Sequence, residues 1–360
     1  MYVENGKISN RQMFRLFVFD LMGSATLLLP PYLAKLCGVD GVFATLTGTL
    51  LGFIYLLYLG LIMKCMEMDI KNYLEHRVKP GLRACVWIFV LMHSIFTAGF
   101  CGYIFTNLMQ YSLVKEITFP ILLLVIVLVA AYAVSGGIES RARVYEVLFL
   151  FILVPYVVMM LASVKNFELE YVTGFWESNQ SEFLKGTYLV FLFFTPLFFS
   201  LFLIGEKKKS YGKNTIKTVT ASVLTAGLVL LGSYVVLLGN FGKNSLSIMQ
   251  YPVITLMSTI QFKGNFLKRM DAFMLAVWFF SLYALLNLHL HYGTFMLKEI
   301  FSKGRTRKWQ VVVTAVFTFG VAYAMYLNMD WVWIFVNYYS YIAVPIMVAG
   351  PAVLLICKKR

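Results

Sequence analysis

The sequence predicts an all-α polytopic membrane protein of about ten transmembrane helices, and three observations predict it. The 360 residues are 60% hydrophobic and only 13% charged, where a soluble domain carries about 25% charged residues, and the mean hydropathy is +0.77. The apolar residues come in blocks of about 18–30, enough to cross a hydrocarbon core of roughly 30 Å at about 1.5 Å per residue, with the charges gathered between them. The alternating ten-residue segments of a membrane barrel are missing, and in lipid every backbone polar group must be satisfied internally, so the blocks must be helices.

In order, the blocks lie at 12–36, 41–63, 82–112, 117–134, 142–164, 184–205, 215–239, 269–297, 309–327 and 331–357. The first follows a polar stretch, contains Pro30-Pro31 and lacks a cleavage site before the second. It reads as a span and not as a removable signal peptide. Between the second and third blocks, Met66–Lys79 mixes Ile70, Tyr73, Leu74 and Val78 with charges, the pattern of a short amphipathic helix. Residues 165–183 form a longer connection carrying Glu168, Glu170, Glu177 and Glu182. Ile248 to Ile260 is apolar but too short to span, and reads as an interfacial helix starting near Pro252.

Ten spans put both termini on one side, and the basic residues assign that side. Lys35, Lys115, Lys165, Lys185, Lys243, Lys263, Lys268 and Arg269 fall on one face, and the remaining 23 of the 31 Lys and Arg fall on the other, with the termini. Cytoplasmic loops are enriched in Lys and Arg, so both termini are expected in the cytoplasm. Trp176, Trp309, Trp331 and Trp333 sit near block ends, as an interfacial belt does.

The same residues exclude several classes. The net charge of +14 is spread over many short loops, which argues against a nucleic-acid face. Cys37, Cys65, Cys85, Cys101 and Cys357 have neither metal-ligand nor disulfide-framework spacing, so neither metal nor cofactor is expected. No HExxH, nucleophile motif or acidic cluster lies in a span, and an enzyme is not expected.

Candidate binding residues come from interruptions and buried polarity. The first block contains Gly23-Ser24-Ala25-Thr26 ahead of Pro30-Pro31. Alone this reads either as a close helix contact or as an unwound segment. The sixth block contains Thr195-Pro196-Leu197-Phe198-Phe199-Ser200 at its middle, where proline removes a helical hydrogen bond. Blocks one and six correspond if ten spans divide into two sets of five. Paired interruptions of that kind point to a site at mid-membrane, with half-helix ends facing the carboxylate and ammonium of an amino acid. His93 and Thr97 on the third block, and Ser281, Leu285 and His289 on one face of the eighth, join the candidates. An intramembrane His also reads as a neutral structural hydrogen-bonder, and Asp20 as a partner for nearby Arg15 or for the cytoplasmic interface. Asp271 reads as an ion-pair partner of Lys268 and Arg269.

Several segments resemble one family. Ile8-Ser9-Asn10-Arg11-Gln12 with Gly23-Ser24-Ala25 and Leu29-Pro30, then Gly136-Gly137-Ile138-Glu139 with Ala142-Arg143, resemble the B subunits of bacterial spore-germination receptors. So do Tyr251-Pro252-Val253-Ile254 and Phe266-Leu267-Lys268-Arg269-Met270-Asp271-Ala272-Phe273 running into Val277-Trp278. The set covers nearly the whole chain in order. The resemblance implies the amino acid–polyamine–organocation superfamily and a LeuT-like fold. That fold would be a single domain of two inverted five-helix repeats, about 11–164 and 183–357, with helices 1 and 6 broken around a ligand. It implies a receptor for a nutrient germinant, typically an amino acid or sugar, in the inner spore membrane, acting with an A subunit and a C subunit lipoprotein. The implied pocket lies near Gly23–Thr26, His93, Thr97, Thr195–Ser200 and the Ser281–Leu285–His289 face. One departure stands out: the Gly-x-Glu arrangement that some members carry in broken helix 6 is replaced here by Thr195-Pro196-Leu197-Phe198-Phe199, without an acid. An autonomous amino-acid transporter of the same fold is the alternative.

Overall fold

The protein's structure, a computed structural model, describes residues 8–203, 213–259, 270–301 and 308–356. Ser9 caps α1 (Asn10–Cys37) in a capping box. The Ser9 hydroxyl accepts from the Gln12 amide at 3.3 Å and the Gln12 side chain accepts from the Ser9 amide at 2.9 Å, satisfying two of the donors that a helix start leaves open. The helices that follow are α2 (Gly41–Met66), α3 (Ile70–Arg77), α4 (Pro80–Ser112), α5 (Phe119–Ser135), α6 (Gly137–Ser163), α7 (Gln180–Leu192) and α8 (Ser200–Leu203). After them come α9 (Lys213–Ile248), α10 (Pro252–Thr259), α11 (Met270–Phe301), α12 (Lys308–Leu327), α13 (Asp330–Tyr338) and α14 (Val344–Ile356).

Each of the ten expected spans coincides with one helix or one interrupted helix. Among the described residues, seven helical stretches are long and apolar enough to cross a membrane by length and composition alone, and one of them, Asn10–Met66, holds both α1 and α2. The 17-residue α5 and the 32-residue α11 supply the others. The sixth span is α7, a 3-10 turn at Thr195–Phe199 and α8. The tenth is α13, a π-helical turn at Tyr339–Ala343 and α14. The protein is an integral membrane protein.

From Leu16 to Leu27 every residue of α1 is buried, so the apolar residues of this stretch lie on all sides, as in an enclosed helix. The helix packs against α6, α7, α9 and α11, and α11 in turn packs against α4, α5 and α12. This α1–α11 pair is the axis of the bundle. Outside it, Leu50, Ile54, Leu61, Val125, Leu128, Val147, Leu150 and Phe151 are exposed, an apolar surface suited to lipid.

The short helices lie as expected. α3 buries Ile70, Tyr73 and Leu74, and Lys71 pairs with Glu299 of α11 at 2.9 Å. α10 starts at Pro252 and buries Val253, Leu256 and Met257. At the end of the bundle that carries α10, the turn between the first two spans is fixed by two groups. Gly38 adopts φ 54, where a side chain is disfavoured, and its added Cβ would meet Lys243 at 2.7 Å. Asp40 accepts from the Trp176 amide at 2.5 Å and from the Ser178 amide and hydroxyl at 2.8 and 2.7 Å, and Trp176 stacks on Phe43 at 5.2 Å. Burial pushes the Asp40 carboxyl up, but the hydrogen bonds from Ser178, Trp176 and Glu177 outweigh it and hold the group below its usual 3.8.

One expectation fails. The first span is not broken: α1 runs without interruption through Gly23–Thr26 and Pro30-Pro31. The Thr26 hydroxyl donates back to the Met22 and Gly23 carbonyls at 2.9 and 3.3 Å, so the polar group is absorbed inside the helix. The small residue serves contact, since a Cβ on Gly23 would lie 2.3 Å from Cβ of Ser281 on α11. Phe266–Arg269 and Cys357 lie outside the described residues, as does the side chain of Asp271 with its expected ion pair.

Candidate functional site

The break in the sixth span organises the first half of the site. Proline at 196 has no amide to continue the helix. The chain tightens instead: the Phe194 amide bonds the Phe191 carbonyl at 2.9 Å and the Leu197 amide bonds the Phe194 carbonyl at 3.1 Å. The Leu192 carbonyl, left without an onward helical bond, accepts from the Thr195 hydroxyl at 2.7 Å and from the Tyr339 hydroxyl at 3.4 Å. Thr195 and Tyr339 also bond each other at 2.5 Å, and the Tyr188 hydroxyl donates to the Ser340 carbonyl. The break in the sixth span is thus laced to the π-helical turn of the tenth. Such turns are frequent at functional sites.

Against this break lie two buried histidines. His93 of α4 sits 5.7 Å, ring to ring, from His289 of α11, 5.7 Å from Tyr339 and 6.4 Å from Phe199. Phe199 stacks on Tyr292 at 4.4 Å and meets His289 edge-on at 5.3 Å. Six buried polar atoms of the predicted site residues have no hydrogen-bond partner among the described residues: His93 Nδ1, Thr97 Oγ1, Ser200 Oγ, Ser281 Oγ and both ring nitrogens of His289. An unsatisfied buried polar atom costs about 1–3 kcal/mol, so native proteins keep few without a use. This set of hydroxyls and imidazoles can donate to and accept from a small polar molecule.

The second half is the α1–α11 crossing. Gly23 packs on Ser281, and one turn along α1 the Trp278 indole donates to Thr26 Oγ1 at 3.4 Å. Trp278 also walls a cavity of about 590 Å³ at the α10 end of the bundle, lined by Gln110, Tyr111, Lys115, Thr255 and Ser258 among others. The indole therefore stands between that cavity and α1.

Beneath the crossing lies a charge pair. Arg141 of α6 donates to Asp20 of α1, both side chains 3% exposed, and reaches the Ala284 carbonyl of α11 at 3.3 Å. Closer to the chain start, Glu146 accepts from Arg11, from Gln12 at 3.0 Å and pairs with Arg15 at 3.4 Å. Arg15, one of the two readings for the partner of Asp20, is taken by Glu146, and Asp20 pairs with Arg141.

Every predicted site residue is buried. His93, Phe199 and His289 come together, Thr195 joins them through Tyr339, and Gly23, Thr26 and Ser281 meet at the crossing. Ser24, Ala25, Thr97, Pro196, Ser200 and Leu285 make no side-chain hydrogen bond or ring contact with another predicted site residue among the described residues. Sequence reasoning missed Arg141, Trp278, Tyr292 and Tyr339. The signal for Arg141 was Asp20, an acid inside a span, which requires a buried partner. For Tyr339, within Tyr338-Tyr339-Ser340-Tyr341, no local pattern distinguishes the tyrosine that turns inward.

The family described as "Spore germination protein" matches residues 7–329. Spore germination protein B2 of Bacillus subtilis (strain 168) is 21% identical over 315 residues, covering 87% of this chain and 85% of the relative. Spore germination protein YndE of the same organism is 19% identical over 361 residues, covering 100% of this chain and 98% of the relative. A solved structure of a substrate-bound, outward-open, Na+-coupled sialic acid symporter superposes with a TM-score of 0.69 at 13% identity, over 98% of this chain and 79% of that one. The likeness is one of fold.

Proposed function

The chain belongs to the spore germination protein family, and from that premise we propose that it is the membrane subunit of a nutrient germinant receptor. It binds a small nutrient, an amino acid, inside the bundle and so triggers endospore germination. The observation that carries this reading is the set of unpartnered buried polar atoms on His93, Thr97, Ser200, Ser281 and His289, of which the two histidines lie against the broken sixth span. A zwitterion suits such a set, since hydroxyls donate to its carboxylate while imidazole nitrogens and hydroxyl oxygens accept from its ammonium. The cavity at the α10 end gives the nutrient its approach, with Trp278 at its inner wall.

In this reading the protein sits in the inner spore membrane with both termini cytoplasmic, in line with its basic asymmetry. It acts with an A subunit and a C subunit lipoprotein. Ligand shifts the bundle only by binding one arrangement better than another, and the lacing of Thr195 to Tyr339 is the element whose equilibrium it biases. Spores lacking the chain, complemented with wild type, His289→Ala or Ser200→Ala, test this across a panel of amino acids and sugars. Wild type is expected to restore the response to one nutrient. The two variants are expected to need at least about tenfold more of it, the loss of one hydrogen bond at about 1.4 kcal/mol. Normal responses in both variants, at matched protein levels, would remove the site.

The symporter fold supports a second reading, an autonomous amino-acid transporter. Accumulation of labelled amino acid in vesicles containing this chain alone would favour it, as would unchanged germination and reduced uptake after deletion.

A further inference from the structure

The cavity at the α10 end has a chemistry of its own. Its walls come from the end of α4 with the turn that follows it, from α10 and from the start of α11. That turn is fixed by hydrogen bonds. The Leu113 and Val114 amides both bond the Met109 carbonyl, at 2.9 and 3.0 Å, and the Gln110 side chain donates to the Ile117 carbonyl at 2.8 Å. The Tyr111 ring meets Tyr251, the residue ahead of α10, at 5.4 Å, so two of the walls are held to each other. Lys115 stands on the fixed turn. It is the one charged residue among the described residues that line the cavity, and it forms no ion pair among the described residues. The hydroxyls of Ser112, Thr255 and Ser258 donate to carbonyls of their own helices, at 2.6, 3.4 and 2.7 Å, and so hold their protons back from a ligand. Much of the remaining wall is apolar and buried, from Met257, Leu275 and Trp278.

These walls select an occupant with two parts. An inorganic anion at Lys115 would leave the apolar wall in water, and a neutral apolar molecule would leave the ammonium without a counter-charge. A carboxylate that carries an aromatic or branched body meets both, since its charge is paired and its apolar surface is buried. The volume of about 590 Å³ falls within the range of about 300–1,000 Å³ usual for small-molecule sites. We propose that this cavity is a binding site for a small organic acid, whose carboxylate pairs with Lys115 while its apolar body lies against Leu275 and Trp278. The nutrient reading uses the cavity only as an approach. The acid site rests on the cavity's own lining, and it stands or falls separately from the inner polar set.

The probe is labelled phenylacetate, measured by equilibrium dialysis against the full chain in phosphatidylcholine nanodiscs, with empty nanodiscs subtracted. Saturable binding is expected. Phenylacetamide lacks the charge and acetate lacks the apolar body, and each is expected to compete at least about tenfold more weakly, since a hydrogen bond to a charged group contributes at least that factor. Lys115→Gln, a change on an exposed turn, is expected to weaken phenylacetate about tenfold and to erase its advantage over the amide. Lys115→Arg keeps the charge and keeps the advantage. Lys165→Gln removes a lysine outside the cavity and changes nothing. The proposal is overturned if phenylacetate does not bind saturably, if the amide binds as well as the acid, or if Lys115→Gln has no effect. Binding that survives Lys115→Gln and is lost in Ser200→Ala belongs to the inner polar set, which overturns the acid site and leaves the nutrient reading standing. Binding abolished when part of the lipid is phosphatidylglycerol, at equal ionic strength, means that a lipid headgroup holds Lys115, and that also overturns it.

Discussion

In the first span a Gly-Ser-Ala-Thr run precedes Pro30-Pro31, and the helix stays wound from Asn10 to Cys37. In the sixth, Thr195-Pro196 ends α7 at Leu192 and the chain passes into a 3-10 turn. Both spans carry small and hydroxylated residues beside proline, and both are buried. The difference lies in where the hydroxyls go. Thr26 bonds carbonyls of its own preceding turn, so α1 answers its polar groups from within. The Leu192 carbonyl is answered by Thr195 and by Tyr339, a residue 144 positions beyond Thr195 that arrives on another helix. A membrane helix opens where other groups take over its freed backbone groups, and at its proline the sixth span has such a neighbour in Tyr339.

Four perturbations would break or sharpen this contrast. The largest effect is expected at Asp20, which anchors the continuous span. Asp20→Ala leaves Arg141 charged and buried, and should lower stability by about 3–5 kcal/mol, read as a large drop in the denaturant midpoint of the chain in mixed micelles. A loss below that of Thr195→Val would mean that the pair does not hold α1.

Next is the crossing. Gly23→Ala drives a methyl into Ser281 and should cost about 1–3 kcal/mol. Ser281→Gly in the same chain should recover most of it, and an additive double variant would show that the two residues do not share the contact. A smaller loss, about 0.5–1.5 kcal/mol, is expected for Thr195→Val or Tyr339→Phe. The double variant should cost less than the two singles together, because both act through one bond. Full additivity would detach the tenth span from the break.

The last effect is local to one loop. The folded value of Asp40 is lowered, so its contribution is complete above the usual 3.8 and is lost as pH falls through the lowered value. Hydrogen exchange at Trp176 and Ser178 should be slow at neutral pH and should accelerate only in strong acid. Asp40→Asn should exchange fast at every pH, at a cost of about 1 kcal/mol. Protection unchanged in that variant would show that the loop is held elsewhere.

Much of the site was legible residue by residue. His93, Phe199 and His289 stood out because polarity inside a span, or proline near its middle, is costly enough to need a reason. Their convergence was not legible, since it depends on how α4 and α11 meet the 3-10 turn of the sixth span. Asp20 was visible as an acid within a span, but Arg15, on the same helix, was far nearer in sequence than Arg141. Nothing local to α1 reveals that Glu146 occupies Arg15 and frees Asp20 for a cation from α6.

What the sequence determined by itself was the ten apolar blocks, their order and the short amphipathic helices between them. These follow from one-dimensional quantities, the length of an apolar run against the thickness of the bilayer and the period of its polar residues. What only the tertiary structure decided was which interrupted span opens, which cation reaches Asp20 and which tyrosine seals the break. Each of those depends on a donor or acceptor carried in from a distant segment. In the membrane interior, where water supplies neither, that partner decides whether a helix stays wound.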